Sequence, residues 1–226
     1  MRQRDPSRLV VLISGNGSNL QAILDACGQS PTPLPAENNG YAQNTPAEEP
    51  RPGPARPLPA RVVAVFSNQP DAFGLARARA AGVPAHAFPR LKELDRAGYD
   101  ALLAEQVAAY KPDWVVLAGW MRLLSSAFLS RFPARVLNLH PALPGAFPGT
   151  HAIERAYEAS RQGLIDHTGV MVHLVPDEGV DSGPVLAQEE VPVDPQEDLA
   201  SLEARIHQVE HRLLVSVIKK LTEESC

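Results

Sequence analysis

The segment Leu9-Val10-Val11-Leu12-Ile13-Ser14-Gly15-Asn16-Gly17-Ser18-Asn19 decides the fold. Five consecutive apolar residues without polar alternation describe a strand covered on both faces, as in a parallel sheet. The run stops at a glycine-rich turn. Leu20, Ile23, Leu24 and Cys27 then recur at helical spacing, so Ser18 or Asn19 opens a helix. Backbone N–H groups and the positive pole at such a helix start form an anion site. Ser18 and Asn19 add side-chain donors there, and Gly17 lets the backbone approach a phosphate closely. The turn lacks the third glycine of the dinucleotide fingerprint, and the next strand ends at Ser67-Asn68 without an acidic residue. A phosphomonoester therefore fits better than NAD. A tight turn with a helix cap would use the same residues.

Working outward, Val62–Phe66 is a second strand, Phe73–Ala81 a helix stopped by Gly82, and Ala85–Phe88 a third strand. Tyr99–Tyr110 is a helix ended by Lys111-Pro112, Trp114–Ala118 a fourth strand, and Val136–Leu139 a fifth. Alternating strands and helices imply right-handed crossovers and a doubly wound α/β sheet with helices on both faces. Gly169–Val175 and Val185–Val191 follow one another without a helix, so the mostly parallel sheet becomes mixed. Asp194-Pro195-Gln196-Glu197 has the form of a capping box and launches a long helix. Leu199, Leu202, Ile206, Val209, Leu213, Val217 and Leu221 make its core-facing stripe. Residues 28–60 differ in kind: nine prolines and few large apolar residues suit a disordered or polyproline-like surface insert.

The 226 residues, 44% hydrophobic and 21% charged, suit one globular domain over 1–226. A net charge of -5 argues against a general nucleic-acid or membrane-surface binder. Two cysteines cannot frame a disulfide scaffold, neither sits in a metal-type pair, and Cys27 falls on a core-facing helix stripe. With no export signal and no membrane span, a reducing cytoplasm is expected.

The residues with most chemistry are Asn138, His140 and Asp181. Asn138 and His140 lie two apart at the end of the fifth strand, hence on one face, and Asp181 closes a V-D-S-G-P turn. An amide can hold a carbonyl oxygen, an imidazolium can stabilise it as an oxyanion, and a carboxylate can keep the ring charged and aimed. Such a set suits transfer of a one-carbon acyl group between nitrogens and needs no metal. His173, inside the sixth strand, reads as a supporting partner. Met121, Arg122, Leu123 and Leu124 follow the fourth strand at its carboxyl end, where open α/β sheets bind ligands. Apolar side chains around one arginine could grip a flat heterocycle bearing carboxylates, with Arg96 toward an acidic tail. His207 and Glu210 share a helix face outside the apolar stripe, which reads as solvent-exposed.

In order, V-V-L-I-S-G-N-G-S-N-L-Q-A-I, F-S-N-Q-P-D-A-F-G-L, V-V-L-A-G-W-M-R-L-L, N-L-H-P-A-L and V-D-S-G-P resemble the folate-dependent formyltransferases. The G-N-G-S-N turn points to the branch whose acceptor is glycinamide ribonucleotide (GAR). The resemblance implies transfer of a formyl group from the co-substrate 10-formyltetrahydrofolate to the GAR amine, in purine synthesis, without a metal. It implies that Gly17, Ser18 and Asn19 hold the ribonucleotide phosphate, with His207 and Glu210 on the GAR side. Arg96, Met121, Arg122, Leu123, Leu124 and Asn138 would border the folate, and Asn138, His140 and Asp181 would be catalytic, Asp181 raising the pKa of a protonated His140. The N-terminal part, about 8–119, would serve the ribonucleotide, and about 120–222 the folate and catalysis. A monomer or weak homodimer is implied, with only small molecules as partners. Formyltransferases acting on tRNA and formyltetrahydrofolate hydrolases carry further domains, for which this chain is expected to have no room. The sequence departs from the family in His140-Pro141-Ala142-Leu143-Pro144-Gly145, in one extra residue over 176–181, and in His207 where glutamine is common.

Overall fold

The computed structural model describes residues 5–30, 57–90, 93–194 and 196–224. Seven strands form one sheet in the order β3-β2-β1-β4-β5-β6-β7. They are β1 (Ser7–Ile13), β2 (Ala60–Ser67), β3 (Ala85–Ala87), β4 (Trp114–Leu117), β5 (Val136–His140), β6 (His167–Leu174) and β7 (Val185–Pro192). The pairs from β3 through β5 are parallel, while β5–β6 and β6–β7 are antiparallel. The helices are α1 (Ser18–Ala26), α2 (Phe73–Ala80), α3 (Arg96–Ala108), α4 (Ser126–Leu129), α5 (Ala152–Arg161) and α6 (Leu199–Glu224).

Leu9 through Ile13 are all fully buried, and successive side chains feed opposite faces. Leu9, Val11 and Ile13 pack with Leu20 and Ile23 of α1 and Ile206 and Leu214 of α6. Val10 and Leu12 pack with Tyr99, Leu103 and Val107 of α3 and Phe128 of α4. Two cores on one strand explain why its sequence is continuously apolar, and each such side chain contributes roughly 1.5–3 kcal/mol by burial. Cys27 joins the α1 face, where burial pushes its thiol up to about 12. It is a packing residue.

The doubly wound mixed sheet agrees with the sequence reading, with several local corrections. The long last helix starts at Leu199, not at the box: Asp194 N–H does donate to Glu197 Oε1 (2.9 Å), but Asp198 caps the helix by accepting from Ser201 N–H (2.8 Å). Helix α3 begins three residues early because Asp95 accepts from Gly98 N–H (2.7 Å). The Pro-rich insert is narrower than 28–60. Leu58 N–H donates to Ala26 O (2.8 Å), Leu58 packs on the core, and Ala60 is already a buried residue of β2. The remainder, 31–56, lies outside the described residues. Helix α5 was missed, although Ala152, Ile153, Ala156 and Ser160 are buried at helical spacing.

Candidate active site

The strand order reverses between β1 and β4, so the loops after the parallel strands meet at their carboxyl edge. Ser14 ties three of them: its hydroxyl donates to Asn68 Oδ1 (2.6 Å) and accepts from Met121 N–H (2.9 Å).

Beside this edge a cavity of about 370 Å³ opens, lined by Asn138, His140, His173 and Asp181 with the Met121–Leu124 segment. Its size falls in the range of small-molecule sites. Met121 and Leu123 expose 65% and 48% of their surface, forming an apolar lip, whereas Leu124 is largely core. Arg122 lies 4.8 Å over the Tyr99 ring, a cation–π contact that aims the guanidinium. Arg96 is not part of the lining. It pairs with Glu178 across the turn, and Glu178 also accepts from Ser126 N–H (2.8 Å).

The three residues that the sequence singled out converge. Register places Asn138 opposite His173 and His140 opposite Met171. Asp181 adopts a positive φ of 48°, rare for a non-glycine residue, which turns its carboxylate toward the strand ends. One oxygen accepts from Gly149 N–H (2.8 Å) and stands 3.4 Å from His140 Nδ1; the other accepts from Asn138 Nδ2 (3.0 Å). His173 donates through Nδ1 to Leu174 O (2.8 Å), so its Nε2 accepts from Asn138 Nδ2 (3.1 Å). Both Nδ2 protons of Asn138 are thus engaged. The free amide offers its oxygen, an acceptor, and serving as an oxyanion donor requires releasing Asp181 or His173.

Burial also acts on His140 in the direction opposite to the one the resemblance implies. Burial lowers its pKa below 6.5, and the opposing pull of the Asp181 carboxylate and the Phe147 carbonyl only partly offsets that. Both ring nitrogens face acceptors: Asp181 at Nδ1 and Phe147 O at Nε2 (3.2 Å). Asp181 behaves in the opposite sense. Burial alone would raise its pKa, but the adjacent His173 ring, the Gly149 N–H bond and the His140 ring hold it below 3.8. It is an anion.

A second cluster forms at the start of α1. Gly17 has φ 79°, and a Cβ there would lie 2.7 Å from Gly74 Cα. Its freedom therefore serves a close approach of α2, a reason the sequence did not suggest. Arg77, also missed, fixes the turn from α2 by donating to Asn16 O (3.1 Å) and Asn16 Oδ1 (2.9 Å). Glu210 is buried, not exposed: it accepts from Asn19 Nδ2 (3.1 Å) and pairs with His207 Nδ1 (2.7 Å). Asn19, His207 and Glu210 thus meet although they come from opposite ends of the chain. The sequence also missed Phe147, Gly149 and Arg155, whose contacts to the site run through the backbone and have no motif. Among the described residues no cluster of three or more His, Cys, Asp or Glu could hold a metal ion, and no helix is long and apolar enough to cross a membrane.

Comparison with known proteins identifies the family. Residues 53–218 match the family model described as formyl transferase. The phosphoribosylglycinamide formyltransferase of Schizosaccharomyces pombe is 41% identical, covering 96% of this chain and 98% of that one. Its Escherichia coli counterpart is 41% identical over 93% of this chain and 84% of that one. Glycinamide ribonucleotide transformylase 1 from Symbiobacterium toebii superposes with a TM-score of 0.80 at 39% identity, covering 98% of this chain and 90% of that chain. A matched fold and identity sustained over nearly the whole length lead to one assignment: the chain belongs to the formyl transferase family.

Proposed function

We propose that this chain transfers the formyl group of 10-formyltetrahydrofolate to the amine of 5'-phosphoribosylglycinamide, giving formyl-GAR and tetrahydrofolate in purine biosynthesis. The observation that carries this reading is the contact of His140 with Asp181, 3.4 Å apart, in the wall of a cavity with an apolar lip. That wall offers a base, a fixed anion and an amide beside room for a flat ligand. The family and the names of its close relatives support the same substrates.

Gly17, Ser18 and Asn19 hold the ribonucleotide phosphate at the α1 start, and Glu210, buried and ionisable, faces the sugar side with His207. Met121, Leu123 and Arg122 border the folate ring system, and Arg96 meets its acidic tail in exchange for Glu178. The amine attacks the formyl carbon, forming the new C–N bond while the carbonyl oxygen becomes an oxyanion. His140, neutral at rest, takes the proton that the amine sheds. The resulting imidazolium stands between Asp181 and the oxyanion and stabilises both negative charges. Collapse breaks the bond to the folate nitrogen, which receives that proton. Asn138 orients the reacting groups through its oxygen, or through Nδ2 when a bond to His173 or Asp181 is released.

The test is direct. Protein mixed with GAR and 10-formyltetrahydrofolate should release deformylated folate, read by absorbance, only when GAR is present. Release without GAR would indicate a hydrolase, and no release would reject the proposal.

A further inference from the structure

Arg155, on the first turns of α5, belongs to no motif. Its guanidinium donates through Nη2 to Phe147 O (2.7 Å) and Pro148 O (2.7 Å), and through Nε to His151 O (3.3 Å). It also lies 5.9 Å over the Phe147 ring. The loop it gathers is held in conformations that L side chains rarely adopt: Phe147 has φ 45° and His151 φ 58°, beside Gly149 at 81°. Two backbone groups of this loop touch the catalytic pair, one of them the Phe147 carbonyl that also accepts from Arg155. Phe147 O meets His140 Nε2 (3.2 Å), and Gly149 N–H donates to Asp181 (2.8 Å).

We infer that Arg155 is a positioning residue for the reaction proposed above: it pins the 147–151 loop so that one carbonyl aims the His140 ring and one N–H aims the Asp181 carboxylate. A guanidinium suits the task because it stays charged and presents its donors in a fixed fork that can collect several carbonyls at once. A lysine offers a mobile point charge and cannot hold that array as well. Arg155 contacts neither His140 nor Asp181 itself in these bonds, so its effect passes through the backbone. Its side chain is only half-buried, and truncating it leaves the α5 core contacts of Ala152, Ile153 and Ala156 in place.

The experiment compares wild type, Arg155→Ala and Arg155→Lys by steady-state kinetics and by NMR titration of the 15N-labelled His140 ring in the substrate-free protein. In Arg155→Ala, kcat should fall about ten- to a hundredfold, the scale expected for misplaced catalytic groups. KM for GAR should stay within about twofold, since Asn19 and Glu210 stand on other elements. The groups facing the His140 ring are Asp181 from its turn, His173 from β6, and the Phe147 and Ala146 carbonyls. Loss of the Phe147 carbonyl removes support for the charged ring, so the titration midpoint should move down. Arg155→Lys should recover part of both effects. An unchanged kcat, or a lowered kcat with an unmoved His140 titration, overturns the positioning role. The ring titration needs no substrate. If wild type itself failed to transfer the formyl group, the function would fall while the inference about Arg155 remained testable.

Discussion

The turn around Gly17 and the wall around His140 stand at the carboxyl ends of β1 and β5 in one sheet, yet they are built differently. The first is nearly contiguous: strand, turn and helix start fall within Ser7–Asn19, with Arg77 and Glu210 as outside supports. The second collects its groups from β5, β6, the 147–151 loop and the turn bearing Asp181. The contrast fits the chemistry proposed for each. Holding a phosphate needs backbone donors and a helix pole, which local structure supplies. Stabilising charge that moves during a reaction needs opposed groups at defined distances, which local structure cannot supply.

The catalytic wall should be the more sensitive region. His140→Ala and Asp181→Asn should each lower kcat by roughly 10²–10³ while leaving GAR binding within a few fold, because they act on developing charge. Steady-state kinetics decides, and near-parental kcat in either variant would remove that residue from catalysis. Gly17→Ala attacks the other region through its backbone. With φ at 79° and Gly74 Cα at 2.7 Å, the added methyl has no room, and a loss of roughly 1–3 kcal/mol is expected in denaturant unfolding. Glu210→Gln keeps the shape but removes the charge joining Asn19 and His207. KM for GAR should rise about tenfold, consistent with a charged hydrogen bond, with kcat little changed. Should kcat fall instead, the two regions are coupled more tightly than their construction suggests.

The acid response separates the regions further. The His140 pKa lies below its ordinary 6.5 in the folded protein, so below pH 6.5 the unfolded chain binds that proton more readily. Stability from the neutral buried ring is full above 6.5 and declines as pH falls through the window beneath it. Asp181, held below 3.8, contributes stability above 3.8 that is lost as pH falls further. Thermal melts between pH 7 and 5 should show a smaller drop for His140→Gln than for wild type. Equal slopes would mean that burial does not control the ring. The smallest effect concerns residues 31–56. The flanks already touch, since Leu58 N–H bonds to Ala26 O. Replacing 31–56 by a short Gly-Ser linker should leave kcat within about twofold, since loop length costs little closure entropy.

Legibility followed the range of the interactions. Asn138 and His140 could be paired from sequence because positions two apart on a strand share a face, and the turn after β1 could be read from its glycines and its helix start. Glu210 was read as exposed because it lies off the apolar stripe of α6; a buried hydrogen bond to Asn19, from the other end of the chain, overrides that pattern. The capping box was visible and its bond forms, but Asp198, four residues along, competes for the helix start and wins. The protonated imidazole was expected from the nearby carboxylate alone. Desolvation, the larger effect, depends on everything packed around the ring.

By itself the chain determined a sheet with two covered faces, since Leu9–Ile13 is apolar on both sides and neighbouring stretches carry helical spacing. It also determined which residue types were present for acyl transfer. Tertiary structure alone decided that Asp181 faces His140, that the Asn138 protons are engaged, that burial lowers the pKa of the ring and that Arg155 braces the loop between them. The reason is physical: periodicity records what a residue's near neighbours in the chain require. Burial, charge and backbone contacts arise only when distant segments share one small volume.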